Sequence, residues 1–135
     1  MNKVYAVIDT NVLISGFLTK NTSSPTIMIL DSLINGVIIP LYNKDILKEY
    51  HEVFRRTKFN LPEEKINWIL KLIMSEGVST ERVSSKEFFP DPKDIVFYEV
   101  AMSKNDAYLV TGNIKHFPKK PFVVTPAEMV KILGL

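Results

Sequence analysis

The sequence predicts an α/β fold in which helices are layered on a mostly parallel sheet of about five strands, in a single domain over residues 1–135. Three observations carry this expectation. Four short apolar runs rich in β-branched residues lack the alternation of a half-solvated strand, as strands buried on both faces do. Helical periodicity fills most of the intervals between them. The chain has 135 residues, 46% hydrophobic and 24% charged, a globular balance at a length that buries a core without a staple.

In order, the first strand is Val4 to Ile8, and a short helix is expected from about Val12 to Leu18. Ser24 and Pro25 supply an N-cap and a first-turn proline, Ile27, Leu30, Leu33 and Ile34 recur at helical spacing, and Asn35-Gly36 stops that helix. The second strand is Val37 to Pro40. Asn43 opens a helix with Ile46, Leu47, Tyr50, Val53 and Phe54 on one stripe. Asn60 with Glu63 reads as a capping box for a further helix carrying Ile66, Ile69, Leu70 and Ile73, closed by Gly77. Trp68 and Tyr98 are read as core-stripe residues. Val78 to Val83 is an edge strand or a loop. Asp91-Pro92 opens a helix with Phe97, Tyr98 and Ala101. Tyr108 to Thr111 and Phe122 to Thr125 are strands, and Thr125-Pro126 with Glu128 opens the last helix, carrying Met129, Ile132 and Leu133. Strands alternating with helices imply right-handed crossovers, and the strandless pair from Asn43 to Gly77 implies a helical hairpin on one side. Thr19 to Ser24 and Ser84 to Asp91 read as loops.

Composition excludes several function classes. The chain has no cysteine, which removes disulfide scaffolds, thiolate zinc sites and a cysteine nucleophile, and fits a reducing cytosol. No apolar run approaches the roughly 20 residues needed to span a bilayer, and Asp9 interrupts the N-terminal run that a signal peptide would need, so a cytoplasmic protein is expected. Five glycines form neither a dinucleotide fingerprint nor a P-loop. A net charge of +2 is too small to argue for nucleic acid by itself.

The informative residues are carboxylates in unexpected places. In an open parallel sheet, ligands collect beyond the carboxyl ends of the strands. Asp9 follows the first strand directly; a helix N-cap is its other reading. Glu49 lies on or beside the inward stripe of its helix, where a carboxylate needs a partner, unless it points to solvent with Asp45 and Glu52. Asp91 reads as an N-cap, whereas Asp94 leads the helix face that packs on the sheet. Thr111 ends a strand, and Asn113 follows it at the same rim; an ordinary turn also accounts for them. Together Asp9, Glu49, Asp94 and Asn113 gather at one end of the sheet. Three carboxylates carry −3, one divalent cation leaves −1, and a second brings +1, which a phosphodiester neutralises. An all-oxygen set suits Mg²⁺ or Mn²⁺, one bound tightly and a second arriving with substrate, the logic of metal-assisted phosphoryl hydrolysis.

These segments, DTNVLISG, DILKEYHEVF, DPKDIVFYEVA, LVTGNIKHF and TPAEMVKIL, in this order and spacing over nearly the whole chain, resemble the PIN-domain ribonucleases, in particular the toxin-like branch of toxin–antitoxin systems. The resemblance implies a three-layer α/β/α sandwich, a Mg²⁺- or Mn²⁺-dependent ribonuclease, an antitoxin partner and a homodimer. It implies Asp9, Glu49 and Asp94 as catalytic metal-binding acids, and Asn11 and Thr111 as polar support. Asn113 stands where many members carry a fourth Asp; it offers a neutral oxygen and removes a charge, and Asp91 could compensate. RNA contact is expected from Lys115, Lys119 and Lys120, which cluster with His116, and less from Arg55, Arg56 and Lys58. A solvated surface is the alternative for both clusters. His116 reads as a capping or packing residue and His51 as a residue of a polar face.

Two rival classes remain in view. A haloacid-dehalogenase-type phosphatase wants an Asp two residues after the first, where this chain has Asn11, and a receiver domain wants several acids at the first strand. A degenerate PIN module, binding RNA or a protein without cleavage, is the alternative that Asn113 keeps open.

Overall fold

The computed structural model describes residues 3–135. Its five strands are β1 (Val4–Ile8), β2 (Ile38–Tyr42), β3 (Val78–Ser79), β4 (Tyr108–Val110) and β5 (Val123–Val124). Its six helices are α1 (Thr10–Leu18), α2 (Pro25–Ile34), α3 (Lys44–Phe54), α4 (Glu63–Glu76), α5 (Ile95–Met102) and α6 (Pro126–Ile132). Every strand pair is parallel, in the order β3-β2-β1-β4-β5. The chain therefore builds outward on one side of β1 and then on the other. The carboxyl ends of β1 and β4 meet at the reversal, where an open α/β sheet forms its crevice.

Two helical groups cover the sheet, α2 packing with α1 and α6, and α3 with α4 and α5. This is the α/β/α sandwich expected. The core unites Val7 and Ile8 of β1, Leu109 and Val110 of β4, Ile29 and Leu33 of α2, and Tyr50, Phe54 and Phe97 from the opposite helices. Gly16 lets α1 and α2 approach, since a Cβ there would lie 2.6 Å from Leu30 Cδ1. A Cβ at Gly77 would meet the Ile73 and Pro40 carbonyl oxygens at 2.3 and 2.5 Å, so only glycine passes from α4 into β3 against β2.

Several local expectations change. The α4 N-cap is Pro62, with no side-chain cap; Asn60 instead takes a left-handed conformation (φ 48°) after the 3₁₀ turn Thr57–Phe59, and Glu63 pairs with Arg55 at 2.6 Å. The proline fixes the chain one residue ahead of the helix, and Arg55 claims the side chain that a capping box would use. On α2 the inward residues are Ile29, Leu30 and Leu33, while Ile34 is exposed. Trp68 is also exposed, because the α4 stripe is set by Ile66, Ile69, Leu70 and Ile73. Strand β2 runs through Pro40 to Tyr42, since proline's fixed φ suits an extended chain. Of the segment Val78 to Val83, only Val78–Ser79 pairs, at the edge of the sheet. The Thr125–Glu128 capping box of α6 forms as read.

Candidate active site

Parallel register sets Ile8 of β1 beside Val110 of β4, so the next residues, Asp9 and Thr111, emerge together at the rim. The Asp9 amide donates to Val110 O at 2.9 Å, holding the two ends in step. Asp9 occupies the N-cap position of α1, yet its side chain makes no cap. Its Oδ2 instead accepts from Thr111 Oγ1 at 2.8 Å, and both residues are buried. Position along the chain fits the capping reading of Asp9; the side-chain geometry does not. Thr111 Oγ1 in turn accepts from the Asn113 amide at 3.0 Å, which shapes the turn after β4.

Glu49 arrives from α3. Asn43 starts that helix by accepting the Ile46 amide at 2.8 Å. The buried stripe of Ile46, Tyr50 and Val53 then fixes its rotation. Tyr50 locks the register from below by donating to Ile8 O at 2.5 Å, beneath the acid cluster. Glu49 is half-buried and accepts from Thr10 Oγ1 at 2.7 Å, whereas Asp45 and Glu52 on the same helix are exposed. Asp94 closes the 3₁₀ turn Pro92–Asp94 that leads into α5, and Asp91 caps this turn by accepting the Lys93 amide at 3.0 Å.

One cavity of about 200 Å³ is lined by Asp9, Glu49, Asp91, Asp94 and Asn113, with Thr10, Asn11, Val53, Arg56, Lys93 and His116. All four carboxylates named from sequence, together with Asn11 and Asn113, thus border one space. Lys115, Lys119 and Lys120 do not. They line a neighbouring, mostly apolar groove with Phe117, Pro118 and Pro121. Arg55 faces Glu63 and Lys58 lies over the Phe59 ring, so Arg56 is the member of its cluster that reaches the acids. Thr10, Lys93 and His116 also line this cavity, and the sequence reading placed none of them there. Thr10 adjoins Asp9 without a charge to mark it, Lys93 lies inside DPKD, and His116 reads from sequence as a capping or packing residue.

The electrostatics are those of crowded carboxylates. Burial, followed by the charges of Asp94 and Glu49, pushes the Asp9 carboxyl up to about 6 against the pull of the Thr111 hydroxyl. Burial and then Asp91 raise Asp94, and His116 partly offsets them. His116 Nδ1 stands 3.5 Å from Asp94 Oδ2, too far for a good hydrogen bond, and that buried oxygen has no hydrogen-bond partner. An orphaned carboxylate oxygen beside two further acids, all offering hard oxygen donors, fits a divalent cation such as Mg²⁺ or Mn²⁺. As the side chains lie, no three His, Cys, Asp or Glu groups among the described residues are gathered tightly enough to enclose an ion. Any cation would therefore draw them inward.

Compared with known proteins, residues 5–115 match the sequence model of the PIN domain. No curated protein and no solved structure matches the chain.

Proposed function

The chain belongs to the PIN-domain family, whose members are typically metal-dependent nucleases that use Mg²⁺ or Mn²⁺, and on that premise we propose that it is a ribonuclease hydrolysing RNA phosphodiester bonds at the Asp9–Glu49–Asp94 cavity. The observation that carries this reading is the raised Asp9 carboxyl facing Glu49 and the unpartnered Asp94 Oδ2 across one rim crevice. Asp9, Glu49 and Asp94 would hold one cation, with Asn113 and Asp91 as weaker donors and room for a second alongside substrate. Bound there, the cation would activate water and neutralise charge on the scissile phosphate and the leaving oxygen.

The chain's own groups do the rest. Thr111 and Thr10 orient Asp9 and Glu49 by donating to one oxygen of each, leaving the other oxygen for the ligand. Arg56 and Lys93 flank the acids as cations for a substrate phosphate.

The toxin role, with an antitoxin partner, a cytoplasmic setting and a homodimer, is supported by the resemblance of the ordered segments to the toxin-like branch. No helix among the described residues is long and apolar enough to cross a membrane.

The test is cleavage of mixed single-stranded and structured RNAs by wild type and Asp9→Asn, in EDTA, Mg²⁺ and Mn²⁺. Cutting that needs the metal and vanishes in the variant is expected. A folded wild type that binds RNA and never cuts it overturns the nuclease reading in favour of the non-catalytic module that Asn113 keeps open, and Asn113→Asp is then the variant to make.

A further inference from the structure

Among the described residues that line the acid cavity, His116 carries the one imidazole. Its backbone is fixed on both sides. The 3₁₀ turn Ile114–His116 starts at Asn113, whose amide donates to Thr111 Oγ1 at 3.0 Å, and the His116 amide donates back to Asn113 O at 2.9 Å. The next residue, Phe117, is buried, its ring edge-on to that of Phe89 at 6.2 Å. The turn therefore hangs from the rim at which β4 presents Thr111 beside Asp9. It brings the imidazole to the acids while Lys115 lines the next groove. The His116 side chain itself is half exposed, so it can shift without disturbing the core.

What the imidazole faces is the unpartnered oxygen of Asp94. His116 Nδ1 stands 3.5 Å from Asp94 Oδ2, wider than a good hydrogen bond, and that oxygen is buried without any other donor. A buried carboxylate oxygen left unmatched is costly, and the histidine does not satisfy it as it lies. A cation shared by the two would. Adjacent ligands of an octahedral ion stand about 3 Å apart at metal–ligand distances near 2.1 Å, so a small inward shift of the half-exposed ring brings the pair to that spacing. The imidazole also changes the chemistry of the donor set. Carboxylate oxygens suit Mg²⁺ and Mn²⁺ alike, whereas Mg²⁺ keeps to oxygen and imidazole is a ligand for first-row transition ions. A nitrogen among the donors therefore distinguishes the two ions.

We propose that His116 is a nitrogen ligand of the cation in this cavity, adjacent to Asp94, and that it makes the site prefer Mn²⁺ to Mg²⁺. This rests on the metal-dependent reading of the same cavity. On the β4 side of the site His116 then supplies a neutral donor of a kind that the Asn113 amide cannot. The competing role is that of a charge partner, in which a positively charged His116 offsets Asp94 and an incoming cation must displace it. The two roles differ in sign. Removing a ligand weakens Mn²⁺ binding, whereas removing a competing positive charge strengthens the binding of both ions.

The experiment titrates Mn²⁺ and Mg²⁺ separately into untagged, metal-free wild type, His116→Ala and His116→Asp by calorimetry, with no RNA present. His116→Ala is expected to weaken Mn²⁺ binding at least about 10-fold, since loss of even an outer partner costs that much, and to leave Mg²⁺ binding unchanged. His116→Asp, which offers an oxygen in place of the nitrogen, should recover Mn²⁺ binding without the preference over Mg²⁺. Electron spin-echo spectra of the Mn²⁺-loaded wild type should show a directly bound imidazole nitrogen that both variants lack. Bound Mn²⁺ without that nitrogen, or equal losses of both ions in His116→Ala, overturns the proposal. Tighter binding of both ions by His116→Ala overturns it in favour of the charge partner. No Mn²⁺ binding by the folded wild type overturns it together with the metal reading of the cavity. The nuclease reading fails separately, when Mn²⁺ is held through His116 and no RNA is cut.

Discussion

Asp9 and Glu99 are buried almost equally, 5% and 6% exposed, and the chain treats them in opposite ways. Glu99, on α5, receives Arg82 through Nε at 2.8 Å and Nη2 at 2.7 Å, and also the Ser85 amide at 2.5 Å. Arg82 further reaches Asp45 of α3 at 3.5 Å. A loop with almost no regular structure is thereby strapped across two helices by one paired charge. Asp9 receives no cation, only the neutral Thr111 hydroxyl and the Thr10 backbone, and it faces two more carboxylates, so its carboxyl rises to about 6. At nearly equal burial the two carboxylates face a similar loss of hydration, so the difference lies in compensation. A structural acid brings its cation in the sequence. An acid whose neighbours are acids is left for a cation from solution, and the energy withheld from the fold is available to a ligand.

The strongest way to break this contrast is to neutralise each acid and read cleavage. Asp94→Asn should lower RNA cleavage by at least about 1,000-fold, the scale on which removing a member of a catalytic unit acts. Glu99→Gln, with the fold verified by circular dichroism, should cleave within a few-fold of wild type. Equal losses from both would mean that the strap serves catalysis as directly as the cavity does.

The next largest effect belongs to the strap. Arg82→Ala leaves Glu99 buried without its cation, and breaking a buried pair costs 3–5 kcal/mol. Arg82 is 39% exposed, so water enters and about 3 kcal/mol is expected at pH 7, read from urea denaturation. A loss below about 1 kcal/mol, the scale of a surface pair, would show that solvent already satisfies Glu99.

How much of this pair of sites could be read from the chain depends on how local its causes are. Asp9 is legible because an acid ends a five-residue apolar run, and Asp94 because it leads an apolar helix face. Glu49 follows from the period of α3. Glu99 carries the same kind of signal, a lone charge in the apolar run IVFYEVA, but its meaning depends on Arg82, seventeen positions earlier in a segment with no periodicity to place it. The false capping box at Asn60 and the inward reading of Trp68 failed in the same way. Both used correct local rules, and both were decided by a partner or a rotation set elsewhere, Arg55 for Glu63 and the Ile66–Ile73 stripe for Trp68. The lysines after Asn113 were placed near the site by sequence distance, but the 3₁₀ turn Ile114–His116 sends His116 to the acids and the lysines to the next groove.

A third prediction sharpens the contrast through pH. Asp9 titrates near 3.8 unfolded and near 6 folded in the metal-free chain. Between those values the folded state holds the extra proton, so stability falls as pH rises through the window. In EDTA the wild type should lose about 2 kcal/mol between pH 4.5 and pH 7, from the size of the shift. Asp9→Asn should remove most of this slope and leave the part that the raised Asp94 carboxyl contributes in the same direction, and saturating Mn²⁺ at pH 7 should raise the melting temperature of the wild type and not of the variant. Glu87 is shifted the other way, chiefly by the Tyr98 hydroxyl, and its contribution lies below its ordinary 4.5, outside this window. A wild-type curve as flat as that of Asp9→Asn would mean that water already relieves the buried charge.

The smallest effect isolates the side-chain donor that faces Asp9. Thr111 is fully buried, and its hydroxyl both donates to Asp9 Oδ2 and accepts the Asn113 amide. Thr111→Val keeps the shape and removes both contacts, whereas Thr111→Ser keeps the hydroxyl and opens only a methyl-sized gap. If the hydroxyl merely packs, the two variants should bind Mn²⁺ alike. If it fixes the carboxylate so that the free oxygen faces the cavity, Thr111→Val should weaken Mn²⁺ binding about 10-fold by calorimetry, the lower end for loss of an outer partner, and Thr111→Ser should not. The valine variant should also push the Asp9 carboxyl still higher, because its main charge-stabilising contact is gone. Its pH–stability slope should therefore steepen in EDTA while its metal affinity falls, a pairing of effects that lost packing alone does not produce.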